Sequence, residues 1–406
     1  AQWVSHDGDL VEAVLWMGPA LATTDPGTGA GPARASTGQD PATAACHPRP
    51  GTRSATRLAA DGTVLAHADS SQLDTDPAGG PAHRILTGED ELATHLWEPD
   101  PALAQAGLEV ALVEPRPVAR WLAERPDLRV YALAPDNAGL LDRLGVWPQV
   151  AAARVQPYRR MRVWDAAGGG ELAFDAAAMA RGELGWIVEN DLLVDRLWSA
   201  LAAAGVQLHC PARVEAMEQD AAGVRLRLED GARLDARIAV AADGAASDLR
   251  RLAGLDIDAH DYHQRGVVAF IETEAPHEDT AWQRFLPTGP LALLPFAQGR
   301  SSIVWTLPEA DAERVLALDD ARFAVELTDA SAARLGKAVP ASARVAFPLR
   351  RQLVRQQVEG RVLVLGDAAH VVHPLAGQGV NLGLRDVAAL AAEIAAAAAT
   401  EAAAVV

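Results

Sequence analysis

The chain has little lysine, little cysteine and few aromatic residues. Lysine occurs once in its 406 residues, at Lys337, and 54 acidic residues against 36 basic ones give a net charge of −18. A surface of this sign is unsuited to binding nucleic acid or to electrostatic attachment on anionic lipid. We therefore predict no nucleic-acid partner.

The sequence also lacks long apolar runs and a cysteine framework. No run of 18 or more apolar residues occurs, so we expect no transmembrane helix, and no basic segment followed by an apolar one predicts a signal peptide. Two cysteines, Cys46 and Cys210, are too few for a disulfide framework. These absences favour a cytoplasmic protein. They leave open a peripheral contact with the inner membrane or with a biosynthetic complex, and they do not define the oligomeric state.

Residues 366–386, GDAAHVVHPLAGQGVNLGLRD, are the most informative stretch. They follow an apolar run that predicts a buried strand, and they lead into an Ala/Leu-rich helix expected to end at about residue 399. Asp367 then lies at the carboxyl end of a strand, where open α/β sheets bind ligands. Gly377 and Gly379 allow close approach of the backbone at the positive end of the helix. We predict a site for a ligand with a hydroxylated tail and an electron-rich ring. A turn with a capping Asp and no ligand is the alternative.

Two further segments have the same strand-then-acid pattern. Residues 240–250, VAADGAASDLR, place Asp243 and Gly244 after an apolar run, although Asp-Gly is also a common turn. Residues 102–114 predict a glycine turn and a strand that ends at Glu114. An acid there binds a ribose hydroxyl in dinucleotide-binding units, and an ordinary solvent-facing Glu is the alternative.

The glycine fingerprint expected before Glu114 is absent. The usual spacing places the three glycines of GxGxxG at Glu91, Ala93 and Leu96, and Pro101 would fall inside the expected helix. Proline in a helix interior costs roughly 3 kcal/mol or more. Upstream, clusters such as DPGTGAGP indicate loops. We predict that residues 1–95 are an atypical, poorly ordered segment.

These motifs resemble those of class A FAD-dependent aromatic hydroxylases. HPLAGQGVNLGLRD, and LGWIVEN at residues 184–190, resemble the ubiquinone-biosynthesis hydroxylases that act at ring positions 5 and 6. The resemblance spans residues 102–394, with the GxGxxG segment missing or replaced. It implies an α/β fold: a Rossmann-like FAD-binding domain with an inserted, mainly antiparallel β-sheet substrate domain. The implied boundaries are 96–155, 186–256 and 346–400 for the FAD-binding domain, and 156–185 and 257–345 for the substrate domain.

The resemblance also implies which residues hold FAD. Asp367 would bind the ribityl chain, Asp243 would lie near the pyrophosphate, and residues 291–296 of the sheet would face the flavin ring. Arg129 matches an FAD-contacting Arg, although a surface Arg on an edge strand fits equally well. The full set is Glu114, Arg129, Asp243, Gly244, Gly366, Asp367, Pro374, Gly377, Gln378, Gly379, Val380 and Asn381.

The implied function is hydroxylation of the aromatic ring of a prenylated phenol or quinol, with NAD(P)H as co-substrate. The flavin carries the chemistry, so no catalytic side chain is assigned. We predict no metal, because His370 and His373 lack further ligands. The Glu189-Asn190 pair is interpreted as a helix cap. A hydroxylase of another aromatic, an epoxidase, a halogenase-like enzyme and an inactive remnant unable to hold FAD tightly are the alternatives. A halogenase would need an active-site lysine, and Lys337 is poorly placed for it.

Overall fold

The computed structural model describes residues 109–118, 120–373 and 379–404, together with five short strands earlier in the chain. The chain divides into two compact units, residues 1–43 and 44–406. The described part of the first unit is an antiparallel pair of strands, and the second unit contains the rest. The five early strands are β1 (Trp3–Val4), β2 (Leu10–Val11), β3 (Ala55–Thr56), β4 (Val64–Ala68) and β5 (Arg84–Ile85).

The remaining strands alternate with helices at first and then form a large sheet. In chain order they are β6 (Val110–Val113), β7 (Val130–Leu133), β8 (Gln156–Tyr158), β9 (Arg160–Asp165), β10 (Glu171–Asp175), β11 (Gly185–Glu189), β12 (Gln207–His209), β13 (Val214–Gln219), β14 (Val224–Leu228), β15 (Arg233–Ala236), β16 (Ala239–Ala241), β17 (Ile257–Thr273), β18 (Thr280–Leu286), β19 (Gly289–Pro295), β20 (Ser301–Pro308), β21 (Ala338–Pro340), β22 (Val345–Val354), β23 (Val358–Glu359), β24 (Val362–Val364) and β25 (His370–Val371).

The described α-helices lie mainly between these strands. They are α1 (Pro135–Arg143), α2 (Trp147–Ala153), α3 (Asn190–Ala203), α4 (Asp248–Leu252), α5 (Glu309–Leu316), α6 (Asp320–Ala330) and α7 (Gly379–Ala404). Helix α7 ends five residues beyond the position predicted from sequence. No helix in the described part of the chain is long and apolar enough to cross a membrane.

Parallel strands form the first layer of the second unit. Strand β6 pairs in parallel with β12 on one side and with β4 on the other, and β16 pairs in parallel with β24. Strand β4 also contacts β16, which brings the two groups of parallel strands side by side. The sequence predicted no strand at Val64–Ala68, yet these residues occupy the place next to β6.

Both faces of β6 are covered, which explains its uninterrupted apolar sequence. Leu112 packs with Leu133 and with helices α1, α3 and α7, whereas Val113 packs with Leu226 and Val364 on the opposite face. All four residues of the strand are buried. Because successive side chains of a strand alternate between faces, one short strand contributes to two cores.

The largest sheet is mainly antiparallel and runs in the order β10-β9-β18-β19-β20-β17-β22-β25. Its longest strand, β17, is interrupted by a bulge between Asp261 and Gln264. One face packs against helices α5 and α6. The other packs against apolar residues of β7 and β11 and the segment before β7. The predicted α/β fold with an inserted antiparallel sheet is therefore confirmed.

A smaller sheet, β7-β11-β8, contributes strands to both the predicted FAD-binding domain and the predicted substrate domain. Its strands come from both predicted domains, because β8 falls in the predicted substrate domain and β7 in the predicted FAD-binding domain. Strand β25 likewise joins the C-terminal motif to β22 of the large sheet. The domain boundaries given above remain predictions.

Candidate active site

Three predicted acids lie directly after strands of the parallel layer. Glu114 follows β6 and is fully buried; its Oε1 accepts a hydrogen bond of 2.9 Å from the backbone N–H of Arg116. The backbone of Glu114 extends the pairing with the β12 region, where its N–H donates to the carbonyl of His209 at 2.8 Å. The predicted acid therefore lies at the carboxyl edge of the sheet.

Asp243 follows β16 and organises the turn that leads into α4. Its carboxylate accepts hydrogen bonds from the Ser247 hydroxyl and from the backbone N–H of Leu249, the latter at 3.0 Å. Ser247 in turn caps α4 by accepting from the backbone N–H of Arg250 at 2.9 Å. Gly244 has a φ of +75°, a conformation that side chains disfavour. The described contacts of Asp243 thus fix the backbone of the Asp-Gly motif.

Asp367 lies in the Gly-Asp turn, defined as residues 366–370, which follows β24. Gly366 adopts a φ of +53°, which explains the glycine at this position. A Cβ atom built on Gly379 would lie 3.9 Å from Oδ1 of Asp367. The acid therefore lies beside the first residue of α7, as the sequence predicted.

Arg250 joins the two motifs, which are far apart in sequence. The Arg250 side chain is buried and donates to the carbonyl of Ala368 at 2.8 Å and to that of Ala245 at 2.9 Å. The Asp-Gly and Gly-Asp motifs consequently meet at one edge of the sheet. Arg250 is the last residue of the VAADGAASDLR segment, and no role was predicted for it from sequence.

Asn381 fastens α7 to the turn between β7 and α1. Its side-chain Oδ1 accepts 2.8 Å hydrogen bonds from the backbone N–H of Ala134 and from Nδ2 of Asn137, and its Nδ2 donates to the carbonyl of Ala132 at 2.8 Å. Asn381 is fully buried, and Val380 is nearly so. These contacts give Asn381 a structural role that the motif did not predict. Pro374, Gly377 and Gln378 lie outside the described residues.

Arg129 lies in a buried charge cluster, defined as Asp127, Arg129, Arg154, Glu189 and Asp191. Its guanidinium lies 3.7 Å from Asp127 and 3.5 Å from Asp191, so Arg129 is not a surface arginine. Burial and the nearby charge of Asp127 raise the pKa of Asp191 to about 6, despite the opposing effect of Arg129.

Tyr131 connects this cluster with the Gly-Asp turn. Its hydroxyl donates a 2.8 Å hydrogen bond to Oδ1 of Asn190. Burial raises the pKa of Tyr131 far above its usual range; the charge of Arg129 opposes this shift, and the charges of Asp127 and Asp367 add to it. Because Tyr131 interacts electrostatically with both Arg129 and Asp367, these two predicted cofactor residues lie in the same neighbourhood.

Glu189 stands at the N-cap position of α3, as interpreted from sequence, but its side chain makes no capping hydrogen bond. The fully buried Glu189 side chain instead forms a paired contact with Arg154, with N–O distances of 2.6 and 2.9 Å. The cap of α3 comes from Asp127, whose Oδ2 accepts from the backbone N–H of Asp191 at 3.2 Å. Because unpaired charge is costly to bury, the Glu189 carboxylate is paired with the Arg154 guanidinium, and its Oε1 also accepts a 2.9 Å hydrogen bond from the backbone N–H of Asp127.

The segment 291–296, predicted to face the flavin ring as a whole, does not lie on one face of the large sheet. Leu291 and Leu293 are buried against helices α5 and α6, on the far face of the sheet. Leu294 and Phe296 pack on the opposite face, beside Ile187 of β11. The expectation that the whole segment faces one way is corrected by the two-residue period of a strand.

The described residues fit an FAD molecule. The parallel strands end in Glu114, Asp243 and Asp367, which carboxyl-edge binding requires. Gly379, which has no Cβ, lies beside Asp367, so a ligand group there can approach the backbone closely. Asp367 can accept hydrogen bonds from hydroxyl groups, and the start of α7 supplies the positive end of a helix dipole.

Comparison with known proteins agrees with this geometry. The family described as FAD binding domain matches residues 101–405. The chain is 38% identical to the 3-demethoxyubiquinol 3-hydroxylase of Escherichia coli, over 71% of this chain and 74% of that protein. It is 33% identical to the human mitochondrial ubiquinone biosynthesis monooxygenase COQ6, over 68% of each chain.

Solved structures show the same fold. PqsL of Pseudomonas aeruginosa in complex with 2-aminobenzoylacetate gives a TM-score of 0.61 at 23% identity, covering 77% of this chain and 86% of that one. HpxO of Klebsiella pneumoniae with FAD and uric acid gives 0.56 at 22% identity, covering 77% and 79%.

Fold and site together define an FAD-dependent aromatic monooxygenase. The chain belongs to the FAD binding domain family, and within it to the ubiquinone-biosynthesis hydroxylases. The family match begins at residue 101, next to the position where the sequence resemblance begins.

Proposed function

We propose that the chain hydroxylates the aromatic ring of a prenylated phenol or quinol in ubiquinone biosynthesis. The observation that carries this proposal is the meeting of the Gly-Asp and Asp-Gly motifs at one sheet edge, in a chain whose relatives include ubiquinone-biosynthesis hydroxylases. The names of these relatives favour this substrate over other aromatics.

The cofactor residues have separable tasks in this proposal. Asp367 and Glu114 bind hydroxyl groups of FAD, Arg129 supplies positive charge nearby, and Asp243 and Gly244 shape the turn that approaches the pyrophosphate. Gly366 and Gly379 leave room for the cofactor, and Val380 and Asn381 hold α7 in place. Pro374, Gly377 and Gln378 are proposed to line the flavin ring. FAD held by these residues would supply hydride acceptance from NAD(P)H and activation of O₂, the chemistry that adds one oxygen atom to the ring and releases the other as water.

The large sheet offers an apolar surface for the substrate ring. Val304 and Phe347 are half-buried and pack with Val268 and Leu128 on the face opposite α5 and α6. The Phe347 ring lies over Gly266, where an added Cβ would come within 2.8 Å of it. A flat, apolar wall of this kind suits a lipophilic aromatic substrate. We further propose a cytoplasmic location, with peripheral contact to the inner membrane or a biosynthetic complex where such substrates are found.

The proposal is tested by incubating the FAD-loaded chain with NAD(P)H, isotope-labelled O₂ and a short-chain prenylated phenol. Mass spectrometry should find one labelled oxygen atom on the ring and NAD(P)H consumption that increases with the phenol. Consumption without labelled product from any prenylated phenol or quinol, but with product from an unrelated aromatic, would favour the alternative hydroxylase.

A further inference from the structure

Asp386 lies on the second turn of α7, and no role has been assigned to it. A single oxygen, Oδ2, accepts a 2.9 Å hydrogen bond from the backbone N–H of Gly366 and lies 2.6 Å from Nε2 of His370. Gly366 and His370 are the first and last residues of the Gly-Asp turn. One carboxylate oxygen therefore holds both ends of the turn that carries Asp367.

The turn is also fastened from two other directions. A Cβ atom built on Gly366 would lie 3.8 Å from the Cα atom of Gly383, so the turn packs closely on α7. His370 belongs to β25, where it lies opposite Leu353 of β22. The imidazole thus stands where α7, the turn and the large sheet meet.

Charge explains why a histidine suits this position. Burial alone would lower the pKa of His370, but the hydrogen bond and charge of Asp386, with a smaller effect of Asp367, raise it on balance. A protonated imidazole offsets the repulsion between these two carboxylates. The 2.6 Å contact is typical of a charge-assisted hydrogen bond.

We propose that Asp386 and His370 are a positioning pair, which holds the Gly-Asp turn against α7 and thereby sets the affinity of the chain for FAD. This inference rests on the proposed function. Asp367 binds the cofactor, and the pair acts through Asp367 by fixing the direction of its carboxylate.

The experiment compares FAD dissociation constants of the wild-type chain, Asp386→Asn and Asp136→Asn. Asp136→Asn is the matched control, since Asp136 also pairs with α7, through Arg385 at 2.7 Å, on an exposed surface. Asp386→Asn retains an acceptor for Gly366 but loses the charge that faces His370. We expect its Kd for FAD to rise roughly ten- to a hundredfold, as the loss of a charged hydrogen bond implies, and that of Asp136→Asn to stay unchanged.

Two further readouts separate positioning from general destabilisation. The visible circular dichroism of bound flavin should change in Asp386→Asn and not in Asp136→Asn, and urea unfolding without FAD should show that both variants are fully folded under the conditions of the titration. If Asp386→Asn fails to fold, His370→Gln replaces it with the same expectations. Equal FAD affinity and equal flavin spectra in all variants would overturn the inference alone. A wild-type chain that binds no FAD would overturn the proposed function and this inference with it.

Discussion

The Gly-Asp turn and the buried charge cluster lie in one neighbourhood but are built in opposite ways. The turn is held mainly by the contacts of Asp386 and Gly379, within residues 366–386, with Arg250 and β22 adding contacts from outside, and it leaves Asp367 half-buried beside the helix start. The buried charge cluster joins separate elements; Glu189 is fully buried there and Arg129 nearly so. In the proposed function the turn serves the ligand, whereas the contacts of the cluster mainly serve the fold.

The largest expected effect is a loss of stability when the buried charge cluster, and not the Gly-Asp turn, is disrupted. Glu189→Gln leaves the guanidinium of Arg154 without its buried counter-charge, so the free energy of unfolding should fall by about 3–5 kcal/mol. Urea unfolding without FAD measures it. Asp235→Asn is the control, because Asp235 pairs with Arg225 on an exposed surface and its loss should leave stability unchanged. A stable Glu189→Gln variant would contradict a structural role for the cluster.

Asn381 offers a second test of this comparison. It belongs to the C-terminal motif by sequence, but its buried hydrogen bonds to other elements resemble the contacts of the buried charge cluster. Asn381→Ala leaves the backbone N–H of Ala134 and the carbonyl of Ala132 without their side-chain partner, and it removes one of the two acceptors of the buried Asn137 amide. The free energy of unfolding without FAD should therefore fall by about 2–3 kcal/mol. Thermal or urea unfolding measures this loss. An unchanged midpoint would mean that the predicted cofactor contact is the main role of Asn381.

Asp367→Ala should weaken FAD binding and leave stability nearly unchanged, the opposite of the result expected for Asn381→Ala. Because the carboxylate is half-buried and faces the ligand side, unfolding without FAD should change by less than about 1 kcal/mol. The Kd for FAD should rise roughly ten- to a hundredfold, as expected for hydrogen bonds to a charged group. Fluorescence titration with FAD measures it. A variant that binds FAD as tightly as the wild type would remove Asp367 from the site.

The smallest effect is a difference in pH dependence. The folded pKa of Asp191, about 6, lies above its ordinary 3.8, so stability from this group is full below about pH 4 and is lost as pH rises towards 6. The folded pKa of His370 is raised above 6.5, so its contribution is present below pH 6.5 and is lost as pH rises through the raised value.

Substitution of each group tests which pH range its titration controls. Asp191→Asn should flatten the curve of unfolding free energy against pH between about pH 4 and 6, and His370→Gln should flatten it above 6.5. Unfolding measured across both windows gives the result. If either variant kept the wild-type slope in its own window, the assignment of that group would be wrong.

The difference between the Gly-Asp turn and the buried charge cluster also explains which features could be predicted from the sequence. The strand, turn and helix around Asp367 were predictable because their signals are adjacent in the chain. The pairing of Glu189 with Arg154 was not, since 35 residues and several elements separate the partners. Asp127 did give a signal, because it stands two residues before Arg129 and two-residue spacing in extended chain places side chains on one face.

Elsewhere the sequence signal was misread or too weak. The two-residue period of β19 should have restricted the flavin-facing prediction to Leu294 and Phe296, with Leu291 and Leu293 on the core side. Strand Val64–Ala68 is five residues long, and its parallel partner β6 is set by tertiary pairing rather than by local sequence.

We expect the chain to hold FAD although Glu91, Ala93 and Leu96 stand where glycines are expected. The most direct test is the visible absorption spectrum of the purified chain after FAD is added and excess is removed by desalting. We predict a flavin band that remains with the wild-type protein in stoichiometric amount and is lost in Asp367→Ala. A colourless wild-type chain would contradict it and would favour a remnant that keeps the fold without the cofactor.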